Sequence, residues 1–242
     1  MALFAIADLH LSHSSDHAMD IFGSRWQGYT QKIEKCWRSV VSENDTVIIP
    51  GDISRAMNLA EAREDFAFLE SLPGKKLLSK GNHDFWWETA AKLGRFFEEN
   101  RFSSFSLLYN NAHIVEDFVV CGTRGWFLEP DQQLTVGKVD FAKMINREVL
   151  RLRLSLDNAM RLRVGEHADK ELLVFLHFPP VWYSFECREI LDVLHEYGVK
   201  RCYHGHIHGI YHKPPVQEIE DIHLTNIASD FLNFMPLRIL PR

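Results

Sequence analysis

Short apolar runs that stop abruptly in polar loops recur along this chain. Leu3 to Ala7 is one, ending in Asp8-Leu9-His10; Thr46 to Pro50 is a second, ending in Gly51-Asp52. Runs of this length with no polar alternation read as strands buried on both faces. Between them lie a polar segment, Leu11 to Ser24, and a helix-like stretch from about Arg25 to Ser42, with Ile33, Trp37, Val40 and Val41 roughly on one side. Asn58 followed by Glu61 has the form of a capping box, and Leu59, Ala62, Phe66 and Leu69 give the following helix an apolar stripe that Pro73-Gly74 ends. Lys75 to Lys80 is a weaker strand leading into Gly81-Asn82-His83-Asp84, with a helix expected from about Trp86 to Glu99. The βαβαβ alternation predicts a parallel or mixed sheet with helices on both faces.

The middle changes character. Phe105 to Tyr109, His113 to Glu116 and Phe118 to Cys121 are short strands close enough to form hairpins, and Thr123 to Gly137 reads as a loop carrying Arg124, Trp126 and Phe127. The longest helical pattern, Lys138 to Val164, has Ala142, Ile145, Val149, Leu152, Leu156 and Ala159 at helical spacing and Gly165 as its stop. Its Arg147, Arg151, Arg153, Arg161 and Arg163 read as a solvated face rather than a phosphate site. Leu172 to Leu176 is the cleanest buried strand and runs into His177-Phe178-Pro179-Pro180. A helix from Cys187 to Tyr197, a strand from Arg201 to Tyr203 and two or three closing strands between Val216 and Leu240 complete the chain. With no repeat, linker or low-complexity segment in view, a single domain over residues 1–242 is expected.

Composition narrows the class. A chain of 242 residues that is 46% hydrophobic and 25% charged is globular rather than disordered. The net charge of −6 argues against stable nucleic-acid binding, which usually brings a basic excess. Cys36, Cys121, Cys187 and Cys202 form no Cys-x-x-Cys pair and fit free thiols in a reducing cytoplasm. No apolar run approaches the length of about 18 residues that spans a bilayer, so no membrane partner is expected.

Five strand-like runs end in loops bearing candidate ligands: Asp8 and His10, Asp52, Asn82 and His83, His177, and His206 and His208. In α/β sheets functional groups gather beyond the carboxyl ends of strands, so five such loops can meet at one site. Carboxylate, amide oxygen and imidazole without thiolate suit Mn, Fe or Zn and do not choose among them. Seven ligands, His83 set aside, are too many for one ion and about right for two, with a carboxylate such as Asp52 able to bridge.

Asp8-x-His10, Gly51-Asp52, Gly81-Asn82-His83-Asp84, His177 and Gly205-His206-x-His208, in this order, resemble the calcineurin-like metallophosphoesterase superfamily. The resemblance implies a four-layer α/β/β/α sandwich with two mixed sheets flanked by helices, and a binuclear centre on one edge. It places Asp8, His10 and His208 on one ion, Asn82, His177 and His206 on the other, and Asp52 between them. His83 would stand beside the phosphoryl and leaving-group oxygens, with Asp84 orienting it. Asn226-Ile227-Ala228-Ser229 is similar to the Asn-x-Gly-Ser that often follows in the family, with Ala228 replacing glycine.

The implied activity is hydrolysis of a phosphoric monoester or diester by a hydroxide generated between two metal ions. Arg55 stands where protein Ser/Thr phosphatases of the superfamily carry an aspartate, and lipid-A-pathway UDP-sugar hydrolases usually have arginine where His83 stands. Both subgroups are therefore disfavoured, and the chain looks like the uncharacterised bacterial phosphohydrolases, acting on a small or nucleotide-like substrate. A nuclease and a non-catalytic metal-binding scaffold are the competing readings. Residues 11–26, with His13, Asp16, His17 and Trp26, and residues 123–137, with Arg124, Trp126 and Phe127, are lid candidates; Arg124, Trp126 and His13 are the candidate substrate contacts. Trp86, Trp87, Trp182 and Tyr183 follow ligand loops and are expected in the core more often than against a nucleobase.

Overall fold

The computed structural model describes residues 1–14, 19–126, 141–214 and 216–241. Of the expected lid residues, Asp16, His17 and Phe127 lie outside these, as does the start of the Lys138–Val164 helix.

In chain order the first half holds β1 (Leu3–Ala5), α1 (Tyr29–Val40), β2 (Thr46–Pro50), α2 (Leu59–Glu70), β3 (Lys75–Ser79), α3 (Ala90–Glu99) and β4 (Phe105–Leu107). Then come β5 (Ala112–Val115), β6 (Phe118–Thr123), α4 (Phe141–Leu162), β7 (Glu171–Leu176), a small ribbon of β8 (Val181–Trp182) and β9 (Phe185–Glu186), α5 (Arg188–Glu196) and β10 (Arg201–His204). The chain closes with β11 (Val216–Ile219), β12 (Ile222–Asn226) and β13 (Leu237–Ile239). Two mixed sheets result, ordered β13-β1-β2-β3-β4 and β11-β12-β10-β7-β6-β5. Strands β1 to β4 run parallel in the first and β6, β7, β10 and β12 in the second, while β13, β5 and β11 join as antiparallel edges.

Side-chain alternation builds the layers. On β1 and β2, Phe4, Val47 and Ile49 face Ile33 and Trp37 of α1 and Phe66 of α2, while Leu3, Ala5 and Ile48 point the other way, into a core shared with Leu173, Phe175 and Tyr203 of the second sheet. On β7, Leu172, Val174 and Leu176 pack under Leu152 and Leu156 of α4 and Leu191 of α5. Strands buried on both faces need no polar alternation. All three helices of the first half cover one face of their sheet, because its other face is taken by the second sheet; the alternation alone had pointed to helices on both. The result is an α/β/β/α sandwich.

Local chemistry moved two helix starts. Helix α3 begins at Ala90, after Thr89 caps it by accepting the Lys92 N–H, because Trp86 is buried with its indole N–H on the Asp84 carboxylate. Helix α1 begins after Gly28, whose φ of 60° turns the chain into it. The cap on α2 forms as expected, with Asn58 Oδ1 accepting the Glu61 N–H at 3.1 Å.

Candidate metal centre

Every loop carrying a ligand-type residue leaves the carboxyl end of a parallel strand: Asp8 after β1, Asp52 after β2, Asn82 after β3, His177 after β7, and His206 and His208 after β10. The two sheets are stitched together there. The Ala7 N–H donates to Ile227 O at 2.8 Å and Ser229 N–H returns to Ala7 O at 2.9 Å, while within the second sheet Gly205 N–H reaches His177 O at 3.1 Å. Asp8 thereby stands over the second sheet, and its Oδ2 accepts the backbone N–H of His206 at 2.9 Å.

Four of the ligand-type residues have left-handed backbones, Asp8 at φ 60°, His10 at 45°, Asp52 at 53° and His206 at 69°. A β-carbon makes this region costly for residues other than glycine, though aspartate tolerates it better than most. Close backbone approach explains the glycines beside them. A β-carbon on Gly81 would lie 2.1 Å from Asp52 Oδ1, and one on Gly205 would lie 2.3 Å from Asp8 Oδ2.

The side chains fall into two groups. Asp8, His10 and His208 bring ligand atoms within 4.8 Å of one another, as do Asp8, Asp52 and His177. In the first group the Nε2 atoms of His10 and His208 are 3.1 Å apart, with Asp8 Oδ1 3.5 Å from the latter. In the second, His177 Nε2 lies 2.7 Å from Asn82 Oδ1, and the ring of His206 is 5.4 Å from that of His177. Asp52 Oδ2 stands between the groups, 3.6 Å from His10 Nε2 and 3.5 Å from His177 Nε2.

Proton bookkeeping shows that this set fits metal ions. Burial holds His177 neutral, well below the usual imidazole pKa, and its Nδ1–H has the Pro50 carbonyl at 3.2 Å. Its Nε2 lone pair then faces the oxygens of Asn82 and Asp52. Likewise, the Asp230 carboxylate holds Nδ1 of His208 at 2.9 Å, which turns Nε2 toward His10. Asp8 Oδ1 is buried without a hydrogen bond among the described residues. Lone pairs converge on two points where a cation would satisfy them, and the outer nitrogens of His177 and His208 make the contacts typical of metal-bound imidazoles. Burial lowers His208, but the carboxylates of Asp8 and Asp230 outweigh it and push this imidazole up to about 10, so without a cation its Nε2 carries a proton that a metal ion would replace. Burial, then the Asp8 and Asp84 charges, raise Asp52 well above the usual carboxylate range. Burial pulls His206 down to about 3, leaving it the neutral form that a ligand needs.

Asp84 is fully buried and accepts the backbone N–H groups of Asp52 (2.8 Å), Ile53 (2.8 Å) and Gly81 (2.7 Å) and the Trp86 indole (3.1 Å). It ties the Asp52 loop to the Asn82 loop. Burial pushes its carboxyl up to about 6 against these donors. His83 anchors its own N–H on Asp52 Oδ1 at 2.8 Å, its ring lies 5.4 Å from that of His10, and with Arg55, Met57 and Phe85 it lines a cavity of about 190 Å³. Burial and then the Arg55 charge lower the His83 imidazole below its ordinary value.

The other expected contacts separate. His13 sits on Asp65, with Nδ1 2.8 Å from Oδ1, and its ring packs on Phe68. Arg124 passes its carbonyl to the His177 and Phe178 N–H groups while its guanidinium faces Glu148 at 3.8 Å. The Trp126 ring lies 6.4 Å from that of Phe178. Trp26 is buried against His10 and His208, with ring centroids 6.1 and 5.6 Å away, and belongs to the wall of the centre. Asp230 escaped the sequence reading: a lone aspartate near the chain end has no motif around it, and only its place four residues after Asn226, in the loop that β12 delivers beside β1, could have suggested it.

A sequence profile of the calcineurin-like phosphoesterase family matches residues 1–209. The gene 66 protein of Mycobacterium phage L5 is 32% identical over 78 residues, which are 32% of this chain and 37% of the phage protein; the chain thus spans about a third of that curated relative. In fold, the phosphopantetheinyl hydrolase of Mycobacterium tuberculosis superposes with a TM-score of 0.61 at 13% identity, covering 100% of this chain and 96% of that one. A protein of unknown function from Aquifex aeolicus superposes with a TM-score of 0.52 at 14% identity, covering 98% and 95%. Identities this low speak for the fold alone. With the family profile spanning most of the chain and the ligand-type side chains converging at its strand ends, the chain belongs to the calcineurin-like phosphoesterase family.

Proposed function

We propose that this chain is a single catalytic unit that hydrolyses phosphoric esters of small or nucleotide-like molecules with the help of two metal ions. Asp8, His10 and His208 would hold one, Asn82, His177 and His206 the other, and Asp52 would bridge. The observation that carries this is the position of Asp52 Oδ2, nearly equidistant from His10 Nε2 and His177 Nε2 at 3.6 and 3.5 Å. When bound, two such ions supply a hydroxide nucleophile near neutral pH and neutralise phosphoryl oxygens.

The chain's own residues would do the rest. Asp52 fixes the His83 backbone through Oδ1, so the residue proposed to bridge also sets the height of the imidazole above the centre. His83 would donate a proton to the departing oxygen, a contribution on the order of 10²–10⁴-fold. Asp84 is a positioning residue: its carboxylate holds the two loops in register from beneath. Four free thiols are in keeping with a reducing, cytoplasmic setting.

The test is hydrolysis of p-nitrophenyl phosphate, bis-p-nitrophenyl phosphate and a nucleotide panel by Mn²⁺-reconstituted protein, with metal analysis of the same sample. Two ions per chain and turnover of at least one ester are expected, and Asp52→Asn is expected to lose both. Full activity and metal content in Asp52→Asn would overturn the two-ion assignment.

A further inference from the structure

On the flank of the centre that carries Asn82 and His177 lies a second cavity, of about 510 Å³. This is a size usual for small-molecule sites. Lys80, Arg124, Arg147 and Arg151 line it together with Trp87 and Tyr109, whose rings are 5.8 Å apart. Two of its residues adjoin the loops that carry Asn82 and His177. Lys80 sits two positions before Asn82, and the Arg124 carbonyl holds the N–H groups of His177 and Phe178 at 3.1 and 2.9 Å.

One carboxylate gathers three of these cations. Glu148 is fully buried, and its Oε1 faces Arg151 Nη1 at 2.6 Å, Arg124 Nη2 at 3.8 Å and Arg147 Nε at 3.8 Å, while its Oε2 accepts the Thr123 hydroxyl at 3.2 Å. Among the described residues, this single negative charge does not neutralise three guanidinium groups and a lysine. The rim's Glu88 does not make up the difference, since it pairs with Lys92 at 3.1 Å. Arg124 Nε is also buried without a hydrogen-bond partner among the described residues. Arg153, two residues after Arg151 and so on another side of α4, shows the contrasting case: it is matched by Glu196 through contacts of 2.7 and 2.6 Å and does not line the cavity. The expectation of a solvated arginine face holds for the exposed Arg147 and fails for Arg151, which is partly buried on Glu148. Guanidinium groups held in this way suit phosphate, which accepts several charge-assisted hydrogen bonds at once.

We propose that this cavity binds a second phosphate of the substrate, so that the preferred ester carries two phosphate groups, one at the metal centre and one among Lys80, Arg124, Arg147 and Arg151. This rests on the phosphoesterase reading of the neighbouring centre. The Trp87–Tyr109 wall would pack against the organic part between the two groups.

The test uses the Mn²⁺-reconstituted full chain and compares the binding of adenosine 3′,5′-bisphosphate with that of adenosine 5′-monophosphate by calorimetric titration. The bisphosphate is expected to bind at least about tenfold more tightly, and Arg147→Gln is expected to remove most of that preference, about tenfold being the effect of one lost charge-assisted contact. Arg147 is half exposed, so its replacement spares the fold; Arg151→Gln, with circular dichroism to check folding, is the second variant. No preference in the parent protein, or one that survives both substitutions, would overturn the proposal. Turnover of p-nitrophenyl phosphate by the same samples separates the two readings. Turnover without a bisphosphate preference removes the second-phosphate site alone. A preference that depends on Arg147, without turnover of any ester, keeps the site and removes the catalytic reading.

Discussion

Asp230 Oδ1 lies 2.9 Å from Nδ1 of His208, and this contact directs the other nitrogen of that ring to within 3.1 Å of His10 Nε2. Asp230 also accepts the Gly209 N–H at 3.0 Å and the Tyr211 hydroxyl at 2.8 Å, so it holds the whole turn that carries His208. Loss of such an outer partner typically costs about 10–100-fold in metal affinity or activity. Asp230→Asn is therefore expected to weaken one of two binding steps in a Mn²⁺ titration by this factor and to leave the other within about threefold. Equal weakening of both steps would show that the two groups of side chains do not act as separate positions.

Backbone clearance makes a sharper case. A methyl group on Gly205 would sit 2.3 Å from Asp8 Oδ2 and 2.6 Å from Ala7 Cβ, and one on Gly81 would sit 2.3 Å from the Asp52 backbone nitrogen. Ala7 Cβ and the Asp52 nitrogen are fixed to the backbone, and Asp8 Oδ2, though a side-chain end, is held by the His206 N–H at 2.9 Å. Overpacking of this kind costs about 1–3 kcal/mol and occasionally more. Gly205→Ala and Gly81→Ala should lower stability by at least this much in chemical denaturation and abolish stoichiometric metal binding. Normal metal content in either would mean that the loops move apart more readily than their hydrogen bonds suggest.

His83 offers a pH signature. Burial and the neighbouring Arg55 both disfavour its imidazolium, so its pKa in the free protein lies below the ordinary 6.5. As a proton donor it must be protonated to act, and kcat/KM, which reports the free enzyme, should fall as pH rises through this depressed value. Removing the Arg55 charge relieves part of the cost of protonation. Arg55→Gln is therefore expected to move the descending limb of the kcat/KM profile to higher pH, and His83→Ala to abolish it while sparing metal content. A limb that is unmoved in Arg55→Gln and present in His83→Ala belongs to another group.

Asp84 should act through its loops. Asp84→Asn places an amide N–H₂ against donors that now share a carboxylate, and leaving such a buried group unsatisfied costs about 1–3 kcal/mol. The expected outcome is a lower denaturation midpoint together with a fall in kcat, and a kcat/KM limb at the parental pH. A shift of that limb would instead indicate direct coupling to the His83 proton.

The strands and the placing of ligand-type residues just after them were legible in the sequence because both depend on local pattern. A run such as Thr46–Pro50 shows its burial on both faces directly, and the loop after it shows Asp52. Three things were not legible, each for a physical reason. The side of the sheet that α1 to α3 cover depends on the second sheet, whose partners for β1 and for Ala7 just after it, Leu173, Phe175, Tyr203, Ile227 and Ser229, lie far along the chain. Asp230 lacks a motif because its role requires only a carboxylate at the right place, which tertiary structure supplies. Arg147 and Arg151 share a helix with Arg153 and have the same composition, yet they part company because Glu148 is buried between them while Glu196 waits on α5 for Arg153.

The left-handed turns at Asp8, His10, Asp52 and His206 make this set of ligand-type side chains hard to transplant. Each such conformation costs roughly 1–2 kcal/mol for a residue with a β-carbon, and the sheet ends and paired glycines keep the four in place against that cost. The directions of these side chains are consequently a property of the backbone. The same seven side chains grafted onto ordinary strand-end loops would keep their chemistry and lose their convergence. A designer who wished to move this centre to another scaffold would have to carry over the seam between the two sheets along with it.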